Sequence, residues 1–408
     1  MSSAIAELML AQGALLNGSW WVARSLRASD GRDWTWLVWA CLGLAILGTG
    51  FDLAMAIPGA PPAGAVTTAL ILVLDAACLA VVAARATRAW PAQGQLKRAR
   101  RARESGDPGA AAEAYHKAAA HLGSGWKRVQ ELEALAGEGR MRLEAGQARA
   151  ADDTFTTMAA KARVVKDPRA EARALRWIGD AAFELGDRQG ARQGYWAAVN
   201  AGQAMGSRIV VGRGLTRLAW MEHIAGDGEL AREYFGWAAR LDVGEADIRL
   251  TSSLMLLAAC FRMSEGRLET ARPATEDSIR LSVQARDRAQ EAAGRLVLGC
   301  VQYMEGLYES GGQIIEEASN ARLPVQSRRV AGVLVAGMTF VARRLHRTGD
   351  VTGFSALANR LLAGHPILAP VAAQVANPES TPSGEARHIE RLVHPVAATD
   401  PALAGAAY

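Results

Sequence analysis

The sequence predicts an all-α protein, with an N-terminal transmembrane helical hairpin followed by a solenoid of six to seven helix pairs. Two long apolar runs before residue 86, separated by a short Pro- and Gly-rich segment, predict the hairpin. Glycines that recur every 40 residues, between stretches with helical hydrophobic spacing, predict the solenoid. The predicted segments are an interfacial amphipathic helix (1–33), the hairpin (34–85), a basic juxtamembrane helix (86–104), the solenoid (105–365) and a disordered tail (366–408).

The composition agrees with a membrane segment joined to a soluble domain. Half of the 408 residues are hydrophobic and 21% are charged, and the mean hydropathy is +0.03. The apolar excess lies before residue 86 rather than throughout the chain. Four cysteines exclude a disulfide-stapled secreted scaffold. The net charge is a modest +5, and the sequence lacks the dense basic stripe that is typical of nucleic-acid binders. No nucleic-acid partner is therefore expected.

The two apolar runs have the length of membrane spans. Trp34–Ile57 and Ala65–Ala84 are each long enough to cross ~30 Å of hydrocarbon as a helix. Arginines lie before the first run and after the second, so the positive-inside rule places both termini in the cytoplasm. Usage rich in Ala, Gly and Arg indicates a bacterium, and hence the plasma (inner) membrane. Residues 1–27 have an amphipathic pattern that predicts a helix on the cytoplasmic leaflet or, alternatively, one packed on a partner.

Each predicted span carries one carboxylate, Asp52 in the first and Asp75 in the second. A charge near the bilayer centre costs about 3 kcal/mol or more, so such residues are commonly bonded to a neighbour or functional. The two lie at different distances from the turn near residue 61 and do not face each other. Assembly with other spans is the favoured interpretation, and an ion or proton path is the second.

A cluster of basic side chains without any acid follows the hairpin. Each basic side chain near an anionic leaflet contributes about 1 kcal/mol to membrane binding. The cluster therefore predicts a contact with membrane lipids, although a solvated helix face is the simpler alternative. Its members are Arg85, Arg88, Lys97, Arg98, Arg100, Arg101 and Arg103.

The strongest signal is an internal repeat. Each repeat glycine suits the left-handed turn that ends one helix, and the Asp that often follows can cap the next. The repeat glycines are Gly106, Gly146, Gly186, Gly226, Gly266 and Gly306, with Gly349 after a longer step of 43. Small residues precede the repeat glycines by seven positions, alanines follow the first five glycines by five, and Tyr or Phe follows the first four by nine. Small residues let antiparallel helices approach closely, and the aromatic ring fills the gap.

This pattern resembles the tetratricopeptide repeat (TPR), in a long form of 40 rather than 34 residues. The resemblance covers about two thirds of the chain, and it weakens after Gly266, where Pro273 enters a helix and Thr275 replaces the aromatic residue. It implies an α-solenoid that binds other proteins and has no catalytic role and no cofactor. The last unit appears stretched by three residues, and the tail contains one island of helical spacing, Gly384–His394, that predicts a docking or a transient helix.

The resemblance also implies a concave groove lined by the first helix of each pair. The groove would be basic and aromatic in its first half and apolar in the middle, which fits a peptide with an acidic end and an apolar end. The alternative is that the apolar stretch is filled by the solenoid's own packing or by the tail. The groove residues that the family offsets imply are Arg140, Arg173, Arg176, Asp180, Arg213, Trp220, His223, Met263 and Tyr303.

No catalytic or metal motif accompanies the repeat. The sequence contains no Walker-type phosphate loop, no HExxH and no nucleophile–histidine signature. Cys260 and Cys300 occupy the same position in successive repeats and are expected to be apolar fillers. The expected function is a membrane-anchored scaffold or adaptor that recruits protein partners at the cytoplasmic face. The alternatives are a permanent structural subunit or homo-oligomer held by the hairpin and, less favoured, a conducting subunit.

Overall fold

The computed structural model describes residues 91–123, 128–241, 243–321, 323, 325–376 and 389. The chain divides into two units, Met1–Gly94 and Gln95–Tyr408. The predicted hairpin with Asp52 and Asp75, the helix before it, and Arg85 and Arg88 lie outside the described residues. Among those described, no helix combines the length and apolar character that a membrane crossing requires.

The described part of the second unit is a helical solenoid. Its helices form seven antiparallel pairs, followed by one terminal helix, in agreement with the predicted number of pairs. The helices are α1 (91–105), α2 (Pro108–Gly123), α3 (Arg128–Glu144), α4 (Ala148–Val164), α5 (Pro168–Glu184), α6 (Arg188–Ala204), α7 (Arg208–Ala225), α8 (Gly228–Ala239), α9 (Ile248–Ser264), α10 (Leu268–Gln284), α11 (Arg288–Met304), α12 (Tyr308–Asn320), α13 (Val325–Arg344), α14 (Thr348–Leu362) and α15 (Leu368–Ala376).

The repeat arises from helices of 17 residues joined by short turns. All six glycines of the regular 40-residue series have positive φ, between 75° and 95°, as the sequence predicts. In the turn after α5, the N–H of Asp187 reaches back to the carbonyl of Ala182, which satisfies an otherwise orphaned helix end. The Asp187 carboxylate then accepts from Gly190 N at 2.8 Å and caps α6.

The seventh turn differs from the prediction. The residue with positive φ is His346, at 56°, whereas Gly349 lies within α14 and has an ordinary helical conformation. His346 follows Gly306 by 40 positions, so the last unit keeps the common spacing and is not stretched. The prediction searched for glycine at each turn. A non-glycine residue such as His346 can also adopt a positive φ where packing on both sides fixes the turn.

Small residues allow the close helix contacts that the sequence predicts. A Cβ added at Gly139 would lie 2.3 Å from the Phe155 ring, and one at Gly179 would lie 2.6 Å from the Tyr195 ring. The receiving rings are fully buried, Phe155 at 0% and Tyr195 at 1% exposed. The small residue and the aromatic ring therefore belong to the same helix pair and hold its two helices together.

Two predicted segment boundaries differ from the observed ones. The basic segment is not separate from the solenoid, because α1 is the first helix of the first pair and Ala102 packs against Ala111 of α2. At the other end, α15 continues the solenoid past residue 365, with Val371 and Val375 buried. Ile389, inside the predicted tail island, is helical and 2% exposed, and it belongs to the same buried cluster.

Candidate functional site: a concave cavity lined by arginines

The odd-numbered helices from α3 to α13 surround a cavity of about 370 Å³. This volume is at the lower end of the range for small-ligand sites, ~300–1,000 Å³. It fits a short chain segment or a few side chains rather than a whole helix. Five arginines and three carboxylates line it, namely Arg140, Arg176, Arg213, Arg217, Arg249, Glu144, Asp180 and Asp287.

Asp180 lies at the centre of the arginine cluster. The Tyr195 hydroxyl donates to its Oδ1 at 2.9 Å. Arg217 Nε lies 3.8 Å from Oδ1, and Arg176 Nη1 lies 4.0 Å from Oδ2. These two arginines approach Asp180 without the short, bidentate geometry of a strong ion pair. One carboxylate therefore faces two guanidinium groups and neutralises only part of their charge.

Burial perturbs the charged state of two cavity arginines. Burial, opposed by Asp180 and aided by the nearby Arg217 and Arg213, lowers the pKa of Arg176 to about 10. Burial also lowers the pKa of Arg140, and Arg103 adds to that shift. A desolvated cation next to like charges is stabilised by any anion that enters. The cavity is thus electrostatically prepared for a negatively charged group.

Two other arginines of the cavity wall face an aspartate of the next repeat. Arg213 Nη2 lies 2.7 Å from Asp247 Oδ2, whereas Arg249 Nε lies 3.8 Å from Asp287 Oδ2. Both pairs connect one odd-numbered helix to the start of the next, so they also fix the rise between repeats. Arg176 and Arg217 differ from them because the two share one carboxylate, that of Asp180.

Aromatic and aliphatic side chains form the remainder of the lining. Trp177, Phe183 and Trp220 contribute rings, and the guanidinium carbon of Arg176 lies 5.5 Å from the Trp177 ring centre. Such a mixture of guanidinium and ring surfaces is typical of sites that bind an amphipathic segment.

The cavity is bounded on one side by α13, which packs across the axis of the solenoid. Arg329 of α13 forms a buried ion pair with Glu184 of α5, 145 residues earlier in the chain. Val325, at the start of α13, belongs to a buried cluster with Leu143 and Ala181. Val325 and Val330 also line the cavity. The seventh pair therefore forms one wall of the concave cavity.

The predicted groove residues fall into two groups. Five of the nine line the cavity: Arg140, Arg176, Asp180, Arg213 and Trp220. Arg173 is outside the lining and stacks on Trp177 at 5.5 Å. His223 is 5% exposed, with its ring edge-on to Phe261 at 5.0 Å.

Met263 and Tyr303 are corrections to the predicted groove. They are 1% and 0% exposed, and the Tyr303 hydroxyl donates to Asp350 at 2.7 Å. Cys260 and Cys300 are likewise fully buried fillers, as expected. The apolar stretch predicted for the middle of the groove lies inside one buried cluster with residues of α13 such as Met338. The alternative that the solenoid fills this stretch itself is the one the structure supports.

Sequence reasoning missed several lining residues. Arg217 lies one helical turn after Arg213, so helical spacing alone indicated that it shares the face. The same spacing relates Trp177 to the predicted Arg173, but the family offsets skip both Trp177 and Arg249. Of the basic cluster, Lys97, Arg98, Arg100, Arg101 and Arg103 all lie exposed on α1.

Comparisons with known proteins identify the fold and no closer relationship. No family model matches the chain, and no curated protein matches it. Among solved structures, it is similar to a Rap protein complexed with Competence and Sporulation Factor. The TM-score is 0.54 at 11% identity, over 87% of this chain and 99% of that one. Together with the 40-residue pairs, this likeness supports a TPR-type helical solenoid.

Proposed function

We propose that the solenoid is a protein-interaction scaffold that takes an acidic segment of a partner into the concave cavity. The observation that carries this proposal is that Arg176 and Arg217 share the carboxylate of Asp180, in a cavity lined by five arginines and three carboxylates. A partner carboxylate would neutralise charge that the cavity itself leaves uncompensated. The adjoining rings of Trp177 and Trp220 would contact apolar side chains beside it.

The fold supports a binding role. The similar Rap protein is complexed with another molecule, Competence and Sporulation Factor. In this chain, the described residues contain no cluster of His, Cys, Asp and Glu suited to a metal ion. The two cysteines of the described residues, Cys260 and Cys300, are buried, and burial raises the pKa of the Cys260 thiol to about 12.

We further propose that residues 34–85 anchor this scaffold to a bacterial inner membrane, with the solenoid on the cytoplasmic side. The support is the sequence: two apolar runs of spanning length, with arginines on the outer flank of each. The exposed basic face of α1 would then meet anionic lipids. Tethering raises the local concentration of a recruited partner without any chemistry.

The test begins with gentle affinity purification of the full-length protein from its native membranes. A copurifying protein is then measured for binding to wild type and to the double variant Arg176→Gln and Arg217→Gln. Charge-assisted hydrogen bonds contribute about 1.5–3 kcal/mol each, so the variant should bind at least tenfold more weakly, with a smaller salt dependence. Arg169→Gln is the matched control, because Arg169 is an exposed arginine of α5 that does not line the cavity.

Three outcomes separate the alternatives. Equal binding by all variants contradicts the cavity as the binding site. Membrane proteins that copurify in stoichiometric amounts, and no longer do so when only residues 34–85 are replaced, favour the second alternative. In that case the protein is a permanent subunit of a membrane complex that Asp52 and Asp75 help to assemble. Recovery of the protein in the soluble fraction after cell disruption contradicts the membrane anchor.

A further inference from the structure

The strongest contact across the solenoid axis is the pair formed by Arg329 and Glu184. Arg329 Nε lies 3.2 Å from Oε1 and 3.1 Å from Oε2, and Nη2 lies 2.9 Å from Oε2. The two side chains are 7% and 8% exposed. A bidentate pair with so little solvent access is strongly oriented and depends on both partners.

Arg329 also holds the end of another helix. Its Nη1 donates to the carbonyl oxygens of Leu361 at 2.9 Å and Ala363 at 3.0 Å. These are carbonyls at the C-terminal end of α14, which the helix itself leaves without partners. One guanidinium group therefore ties α13, α14 and α5 together, although α5 belongs to a pair four repeats earlier.

A second contact reinforces this junction. A Cβ on Gly186, which follows α5, would lie 2.9 Å from Pro366 Cγ, so the turn before α15 rests directly on the turn after α5. The His365 ring lies 5.2 Å from Phe183, a residue of the cavity wall. The elements that meet at this junction also form one side of the cavity.

We propose that the Arg329–Glu184 pair is a latch that controls access to the cavity. When the pair is formed, α13 narrows the cavity on one side; when it breaks, helices α13–α15 move away from α5 together. Because the cavity is where we place the partner segment, this inference rests on the proposed function. Its test uses cavity accessibility and needs no partner, so the two can fail separately.

The experiment measures how fast a thiol in the cavity reacts. Ser253, which lines the cavity, is replaced by cysteine in the full-length protein, and modification by a maleimide is followed by the mass of the peptide that carries it. Cys260 and Cys300 are fully buried and serve as internal references for intact packing. Glu184→Gln removes one charge of the latch while keeping the size of the side chain. We expect the rate at position 253 to rise at least tenfold.

Two controls isolate the latch from general loosening. Arg272→Gln breaks an ion pair with Glu305 that is remote from the cavity, and it should leave the rate within twofold. Ser310→Cys, on an exposed position, should react at the same rate with or without Glu184→Gln. An unchanged rate at position 253 in the Glu184→Gln protein overturns the proposal.

A measurement on the wild-type protein decides the matter if Glu184→Gln does not fold. Native-state hydrogen exchange should show the amides of α13–α15 opening together, at least tenfold more often than those of α5 and α7. Opening of all these helices at one common rate would mean that the seventh pair has no independent motion, and the latch would be excluded.

Discussion

Replacing Gly179 by alanine tests how the helix pairs support the cavity. The added methyl group would lie 2.6 Å from Tyr195 Cδ1 and 3.0 Å from the carbonyl oxygen of Ala191. The Tyr195 ring is 1% exposed, and its hydroxyl donates to Asp180, so it has no space to withdraw into. The methyl group must therefore separate α5 from α6 or displace the ring from Asp180.

The expected magnitude follows from two opposing contributions. Overpacking a tight core costs about 1–3 kcal/mol, and the higher helix propensity of alanine returns about 1 kcal/mol. The 2.6 Å approach to a buried ring places the overpacking cost in the upper half of its range, about 2–3 kcal/mol. Gly179→Ala should therefore lower the free energy of unfolding by roughly 1–2 kcal/mol. Gly312→Ala is the matched control, since nothing lies within 4 Å of its added Cβ inside α12. There the same substitution should stabilise by up to about 1 kcal/mol.

The assay is denaturant unfolding followed by helical circular dichroism, on the full-length protein in one detergent. Hydrogen exchange localises the effect, which should appear in the α5 and α6 amides for Gly179→Ala. The reasoning is refuted if both alanines shift stability in the same direction. It is also refuted if Gly179→Ala equals wild type, because the ring would then yield freely.

Three further predictions concern charge and backbone conformation. Burial, and to a smaller extent Arg329, lowers the pKa of His365 to about 4, below its unfolded value of ~6.5. Between these two pKa values the unfolded chain binds a proton that the folded chain does not, so stability falls as the pH drops from about 6.5 towards 4. Wild type should lose about 2 kcal/mol more than His365→Asn between pH 7 and pH 5, measured by urea unfolding at each pH. His346→Gly should raise the melting temperature by relieving a positive φ, worth roughly 1 kcal/mol, and His346→Val should lower it. Glu222, 0% exposed, accepts from Arg192 at 2.6 Å, so Glu222→Gln should cost about 2 kcal/mol in thermal unfolding, against less than about 1 for Glu265→Gln on the surface. A larger loss for Glu265→Gln would contradict the role of burial.

The repeat could be predicted because its determinants are local. A left-handed turn requires glycine or a tolerant substitute, and a close helix contact requires a small residue opposite a ring. Both requirements place particular residue types at a fixed spacing in the sequence, as with Gly179 and Tyr195. Counting these recurrences predicted six to seven pairs, and seven are observed. The seventh turn has His346 in place of glycine. The prediction therefore assigned this turn to Gly349, three residues too late.

The basic side of the cavity was predicted in part for the same reason. The concave face of the first helix in a pair is determined by helical periodicity. That face carries Arg176 and Asp180 in α5 and Arg213 in α7. Burial of Met263 and Tyr303 was not predictable in this way. They share the face, but α13 and its neighbours cover that part of it.

The sequence by itself determined the helical repeat, the number of pairs, and the basic character of the concave face. Only the tertiary structure decided where the solenoid closes, because the direction of each pair depends on side-chain volumes at every interface before it. Small rotations accumulate over four repeats until α13 meets α5. No local pattern encodes a partner 145 residues away. The contact between Arg329 and Glu184, and the cavity beside it, therefore emerge only from the packed chain.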